Sequence, residues 1–211
     1  RIILDDYTDA TGVMWNANYS STDYATAMSY ISYENSAVKT HVETWYNTNI
    51  GNNTTYSSKV ATTKFCNDKS GITEYTGETQ YFAPYNRLYP VASSAPIMTC
   101  PDTNDIYNLK VGLITADEVA FAGSGYPNIN QSYYLYNDLI GDNWWLLSVH
   151  YWEWGGTLSA FYFDANFGDL YPDDLNREHH VRPIISLNEN VTVTTASPTN
   201  PGTSSNPYII Q

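Results

Sequence analysis

Two apolar runs in the last third of the chain constrain its fold more than any other feature. The first, residues 144–148, is apolar up to its final serine, and the second covers residues 181–187. A half-buried strand alternates apolar and polar side chains, so unbroken runs of this kind indicate burial on both faces. We therefore predict two buried strands that hold residues 149–180 out as a surface segment.

The segment between these runs mixes aromatic and charged side chains in a way that a stable fold does not demand. Glu153 lies between two tryptophans, and acidic residues at 173–174 precede the basic Arg177. Trp, Tyr and Arg are favoured anchors of binding surfaces, and grouped exposed aromatics mark interaction sites. The segment is therefore a candidate contact face. A core role for Phe161 and Phe163 stays open, because period-two spacing turns one set of side chains inward.

Composition and charge limit the classes of partner that the chain is expected to bind. The 211 residues carry 22 acidic and 9 basic side chains, a net charge of -13, so the basic footprint of a nucleic-acid binder is absent. The same charge disfavours an anionic membrane surface, and no apolar run approaches the ~20 residues that span a bilayer. The 20 tyrosines, with many Asn and Ser, suit either a binding surface or a secreted β-rich protein.

The two cysteines match a single disulfide. A bridge between Cys66 and Cys100 would close a loop of some 35 residues and stabilise the fold by about 3–4 kcal/mol. We expect an extracellular setting in which the pair oxidises; two free thiols in a cytosolic protein are the alternative. The chain begins at Arg1 without methionine, and we expect that an N-terminal leader or anchor was removed.

Two helices are predicted from caps and spacing. Asn35 or Ser36 begins the first, in which residues 38, 42, 45 and 46 recur on one face, and a left-handed turn at 47–51 would end it. Thr115 and Glu118 form a capping box for the second, which glycines at 123 and 125 end. The acidic pair at 117–118 is thus interpreted as capping rather than catalytic.

The remaining chain is predicted to be short strands joined by loops. Strands are expected at residues 1–6, 110–114 and 133–136, and residues 208–210 would lie beside the N-terminal strand. We interpret residues 8–33 as loop with short strand pieces, 52–58 as a turn and 196–207 as a linker. The sequence thus predicts one α+β domain over residues 1–211, with two helices, short antiparallel sheets and a high loop content.

Metal binding and catalysis are not predicted. Residues 173, 174 and 178–180 offer suitable ligand atoms, but adjacent histidines on a strand point to opposite faces and cannot easily share one metal. Ser148 and His150 have no orienting third group, and no nucleophile elbow, phosphate loop or dinucleotide motif occurs. We therefore expect no catalytic site, no cofactor and no bound metal.

Several motifs, in order, resemble a family of bacterial and phage surface proteins with C-type-lectin-like domains. The similarity runs from about residue 36 to the end of the chain and rests on residues 38–46, 65–68, 83–89, 111–119, 144–148, 181–187 and 202–208. It implies a C-type lectin fold in which two helices and paired sheets support a loop-rich face and the terminal strands come together.

Some members of this family are variable proteins of diversity-generating retroelements, in which adenine-directed mutagenesis rewrites a C-terminal segment. The resemblance implies framework positions at Gly155, Gly156, Ala160, Gly168, Leu170 and Leu175. It implies candidate ligand-binding positions at His150, Tyr151, Trp152, Glu153, Trp154, Phe161, Phe163, Asp164, Asn166, Asp169, Tyr171, Asp173, Asp174, Arg177, Glu178, His179 and His180.

The chain departs from sugar-binding lectins, because the calcium-ligating triplets of that group are absent. It also departs from the formylglycine-generating enzymes, whose cysteine pair lies in the C-terminal region. The leading hypothesis is a non-enzymatic recognition or adhesion module on a bacterial surface or phage particle, with a protein or glycan ligand on another cell or particle. A structural domain of a surface filament is the alternative, and an enzyme on the same fold comes third.

Overall fold

The computed structural model describes residues 2–3, 12–89, 95–125, 129–133, 135–136, 142–195, 197, 199, 206 and 208–211. Over these residues the helices are α1 (Tyr24–Ile31), α2 (Ala37–Tyr46), α3 (Thr54–Ser57), α4 (Ala83–Leu88) and α5 (Ala116–Phe121). Short 3-10 turns occupy Tyr33–Asn35 and Thr103–Asp105, and a π turn occupies Asn47–Gly51.

The strands are short and pair in antiparallel fashion. They are β1 (Ile2–Ile3), β2 (Val13–Met14), β3 (Val60–Ala61), β4 (Thr63–Cys66), β5 (Gln80–Tyr81), β6 (Ile106–Leu109), β7 (Val111–Gly112), β8 (Trp144–Trp152), β9 (Leu158–Asp164), β10 (Asp169–Asp174), β11 (Glu178–His179), β12 (Ile184–Leu187), β13 (Val193–Thr195) and β14 (Tyr208–Ile210). One sheet has the order β10–β9–β8–β5, and in a second β12 pairs with β1, β3 and β7. Two-stranded pairs join β2 to β11, β4 to β6, and β13 to β14. The predicted α+β class with short antiparallel sheets is confirmed.

Strand β8 forms the centre of the core. Every residue from Trp144 to His150 is buried, which confirms the prediction of a strand covered on both faces. The strand runs on to Trp152, four residues beyond the apolar run that predicted it. Trp145 packs edge-on against Trp15, with ring centroids 6.1 Å apart, and its indole nitrogen donates to the Val13 carbonyl at 2.7 Å. These contacts tie the N-terminal part of the chain to the sheet.

The second apolar run is buried but only partly extended. Val181 to Ile185 are buried, yet the strand begins at Ile184. Pro183 lacks the amide hydrogen that a ladder needs, so the regular pairing starts after it. β12 then has Ile184 opposite both Ile3 and Gly112, on its two edges.

Helices α2 and α5 confirm the two predicted helices. The Ser36 side chain caps α2 by accepting from the Lys39 amide at 2.9 Å, and the capping box of Thr115 and Glu118 begins α5. The predicted left-handed end of α2 is wrong, because the chain continues into the right-handed π turn. The Asn49 side chain, which donates to the Trp45 carbonyl at 2.8 Å, supports that turn.

Two helices occupy segments that were predicted as loop or turn because they are rich in Ser, Thr and Asn. The segment predicted as loop contains α1, which Asp23 caps by accepting from the Thr26 amide at 2.8 Å. The turn predicted at 52–58 contains α3, which Asn53 caps. Tyr133, Leu135 and Tyr136 form bends and turns rather than a strand, and residue 134 lies outside the described residues.

Strand β14 pairs with β13, so the prediction that it lies beside the N-terminal strand is wrong. β1 instead pairs with β12, and residues 1 and 4–6 of that predicted strand lie outside the described residues. Most of the predicted linker at 196–207 also lies outside the described residues.

The predicted disulfide is present. Cys66, at the end of β4, is bonded to Cys100 with the two Cα atoms 5.5 Å apart. None of the helices in the described residues has the length and apolar character to cross a bilayer.

Candidate functional site

Strands β8, β9 and β10 carry most of the candidate residues and sort them by face. In β9, Phe161 and Phe163 point into the core, while Tyr162 between them is half-buried. The alternative in which the two phenylalanines line the core is therefore confirmed. Seven of the candidate positions are buried: His150, Trp152, Phe161, Phe163, Asp164, Asp169 and His179.

The buried aromatic candidates hold the sheet to its surroundings. The Trp152 indole donates to the Ser21 carbonyl at 2.8 Å and stacks on Tyr75 with centroids 4.7 Å apart. His150 contacts Phe161 edge-on at 4.6 Å, and burial lowers the pKa of His150 to about 3. The imidazole is thus neutral at physiological pH, as the core position requires. These buried side chains support the sheet from below. A ligand could contact them only if the protein unfolded locally.

Two buried carboxylates face each other at the β9–β10 hairpin. Asp169 lies directly opposite Asp164 in the strand register, and both are buried. Burial, followed by repulsion from Asp164, raises the pKa of Asp169 to about 6. The two carboxylates flank the β9–β10 turn, where burial and repulsion disfavour the ionised form of Asp169.

His179 links three elements beneath the surface. Its Nε2 lies 3.0 Å from Asp173 Oδ2, its ring stacks on Tyr162 at 4.3 Å, and it meets Trp145 edge-on at 4.5 Å. Burial acts to raise the pKa of Asp173, but the His179 hydrogen bond and neighbouring charges outweigh burial and hold that pKa below its usual range. The described residues contain no group of three or more His, Cys, Asp or Glu placed to hold a metal.

Six candidate residues lie together at the β8–β9 turn and the adjoining end of β10, and we call them the tip surface. They are Tyr151, Glu153, Trp154, Asp173, Asp174 and Arg177. Asp174 is paired with Ser159 next to the turn, and the Arg177 amide donates to the Asp174 carbonyl at 2.9 Å. These pairings bring the end of β10 to the residues of the turn.

The turn itself is clamped by backbone contacts. The Glu153 amide donates to the Thr157 carbonyl at 2.6 Å, and the Ser21 amide donates to the Gly156 carbonyl at 2.6 Å. The Gly155 amide donates to the Tyr75 hydroxyl at 3.1 Å. On this fixed turn Trp154 is 77% exposed, the most exposed of the large hydrophobic side chains in the described residues.

The absence of a side chain at Gly156 allows the Ser21 backbone to lie close to the turn. Its φ is +85°, and a Cβ atom added there would lie 2.4 Å from the Ser21 carbonyl oxygen. Only glycine avoids both the backbone strain and this clash. Of the implied framework positions, Gly156, Ala160, Gly168, Leu170 and Leu175 are buried, whereas Gly155 is exposed.

Negative charge predominates on the tip surface. Burial raises the pKa of Asp174, and repulsion from Asp173 and Glu153 raises it further. The one guanidinium, that of Arg177, is 66% exposed and approaches Asp173 only to 3.9 Å. A pair of that geometry in solvent contributes little. Asp173 also has its hydrogen bond with His179, whereas Arg177 is the only guanidinium among the tip-surface residues, which also include Glu153 and Asp174.

The four remaining candidates, which are exposed or half-buried, lie apart from the tip surface. Tyr171 is on β10 opposite Tyr162, and Glu178 is on β11 opposite Met14. Asn166 occupies the turn at the far end of β9. His180, which is half-buried, has its Nε2 3.7 Å from Asp142 Oδ2.

Sequence reasoning missed the residues that flank the tip surface from a distant part of the chain. Tyr81 on β5 pairs with Tyr151 in register, with ring centroids 6.3 Å apart, and stacks on Tyr85 at 3.9 Å. Ser21 and Tyr75 hold the turn. No local pattern identifies these residues, because their role depends on pairings across more than sixty positions of the chain.

A cavity of about 350 Å³ lies beside the disulfide, and Arg87 in its lining is paired with two carboxylates of the same lining. Arg87 binds Asp117 with two hydrogen bonds of 2.9 and 2.8 Å and lies 2.9 Å from Asp68. The Ser148 hydroxyl accepts from the Ala116 amide at 2.9 Å. Asp117 therefore holds α4 to α5 in addition to its place in the first turn of α5.

Comparison of the chain with protein-family models, with curated proteins and with solved structures finds no match in any of the three.

Proposed function

We propose that this protein is a non-enzymatic recognition or adhesion module that contacts its ligand through the tip surface. The observation that carries the proposal is the largely exposed indole of Trp154 on a turn held by backbone hydrogen bonds. Exposing a tryptophan forfeits about 1.5–3 kcal/mol of burial energy, so a rigid turn that does so favours a binding role. A fixed anchor also loses little entropy when a partner binds.

The proposal includes a C-type lectin fold and membership of the variable proteins of diversity-generating retroelements. The ordered motifs support it, and so does the burial of five of the six implied framework positions, although seven of the candidate positions are buried as well. The disulfide supports an extracellular place on a bacterial surface or phage particle, because such bonds persist in oxidising compartments.

The binding proposal is tested by screening the chain on arrays of glycans and of bacterial surface proteins, with two matched variants. W154A should lose the signal of any specific hit and keep the wild-type melting temperature. F121A is the control, since Phe121 is 69% exposed on α5 and is not one of the tip-surface residues. Equal binding by W154A and F121A would remove the tip surface from the proposal.

The diversification proposal is tested at the encoding locus. A second near-copy of the sequence for residues 144–187 that differs mainly at adenines would support it. A complete locus without such a copy would exclude it and leave a fixed adhesin.

A second candidate function is a structural domain of a surface filament. It is favoured by the apolar side chains of the β13–β14 pair, where Val193, Ile209 and Ile210 are exposed. Light scattering separates the two: a change of assembly state in the I209A variant favours the filament, and loss of binding by W154A with an unchanged assembly state favours recognition.

A further inference from the structure

We infer that the tip surface recognises a basic polypeptide surface and that arginine or lysine side chains of the partner seat against Trp154 and the neighbouring carboxylates. This inference rests on the proposed binding function and names its class of partner. It follows from the charge and the aromatic rings that the fold brings together.

The first argument is an uncompensated local charge. Glu153, Asp173 and Asp174 place three carboxylates at one end of the hairpin. Asp173 is hydrogen-bonded to His179, and Arg177 supplies one positive charge in a loose, solvated pair. Like charges held together repel, and a partner cation would relieve that repulsion. An acidic partner would increase it.

The second argument is the arrangement of the rings. Tyr81 and Tyr151 stand nearly perpendicular, with an interplanar angle of 80°, and the exposed Trp154 lies three residues beyond Tyr151 in the chain. A cation over an aromatic face is attracted by about 0.5–2 kcal/mol, and tryptophan is the strongest of the three rings. Aromatic faces together with carboxylates favour guanidinium and ammonium groups, which can contact both. A neutral glycan would gain stacking on the rings but no ionic contact with the carboxylates.

The third argument is the field of the whole chain. A net charge of -13 attracts a basic protein at long range, and the tip surface then supplies the local contacts. Association would therefore be fast at low salt and slower as salt screens the field.

The test uses a phage library of random 12-residue peptides selected on the immobilised wild-type chain, after depletion on the W154A variant. We expect recovered peptides to contain more Lys and Arg than the input library. One recovered peptide is then synthesised and titrated by calorimetry against E153Q, D174N and the control E189Q. Glu189 is an exposed carboxylate on the turn before β13.

We expect E153Q and D174N each to weaken binding by roughly threefold to tenfold at low salt, with E189Q unchanged. Equal weakening by E189Q would assign the attraction to overall charge and overturn the inference. Recovered peptides that need Trp154 but are neutral or acidic would also overturn it, while the binding function would stand. If no peptide depends on Trp154, the inference and the proposed function fall together.

Discussion

The pair of facing carboxylates on β9 and β10 predicts a specific dependence of stability on pH. Asp169 is 1% exposed, and among the described residues its Oδ1 atom has no hydrogen-bond partner. The pKa of Asp169 is raised from the ordinary 3.8 to about 6 in the folded protein. Asp169 therefore takes up a proton on folding between these two pH values.

The direction and size of the pH effect on stability follow from the difference between the folded and unfolded pKa values of Asp169. Below pH 3.8 the carboxyl is protonated in both states, and its contribution to stability is fully present. As the pH rises through about 6 the folded carboxyl must ionise, and the contribution is lost. Two pH units correspond to up to about 3 kcal/mol of unfolding free energy.

The perturbation is D169N, which removes both the titration and the repulsion from Asp164. We expect the free energy of unfolding of D169N minus that of wild type to rise by up to about 3 kcal/mol from pH 4 to pH 8. Urea unfolding followed by circular dichroism across this range measures the difference, with E189Q as the control. A flat difference, or a D169N variant less stable than wild type at pH 8, would refute the reasoning.

Three further effects are expected on stability. Replacing Cys66 and Cys100 by alanine should lower the free energy of unfolding by about 4 kcal/mol in urea, since the bridge closes a span of 34 positions; an unchanged midpoint would contradict this. S148A should cost about 1–3 kcal/mol in the same assay, because a buried amide at the start of α5 loses its acceptor. G156A should lower the melting temperature more than G155A. Both residues have positive φ, but only at Gly156 would an added Cβ clash with backbone atoms. Equal losses of melting temperature would contradict the close approach of Ser21 to the turn.

Strand β8 and helices α2 and α5 could be predicted because the sequence patterns that indicate them are local. The unbroken apolar run at 144–148 indicates burial on both faces, and the Thr115–Glu118 box indicates a helix start whatever surrounds it. α1 is not predicted although Tyr24, Ala27, Met28 and Ile31 recur at helical spacing, because this pattern spans only eight residues in a segment rich in Ser, Thr and Asn.

The tip surface could be predicted only in part. The segment was identified, but aromatic and charged residue types do not reveal which side chains a sheet turns inward. Phe163 and Trp154 have similar chemistry; one lies on the core face of β9 and the other on a turn. The partners Ser21, Tyr75 and Tyr81 come from remote chain segments, and that information resides in the tertiary pairing.

The most direct test of a rigid scaffold that displays a binding surface is a single-alanine scan of the seventeen candidate residues with two readouts. Melting temperature and affinity for a partner recovered in the array screen are measured for each variant. We predict two separate groups: buried residues such as Phe161 lower the melting temperature, and tip-surface residues such as Trp154 lower affinity with melting unchanged. Affinity that falls only where melting falls, with no effect at Trp154, would contradict the account.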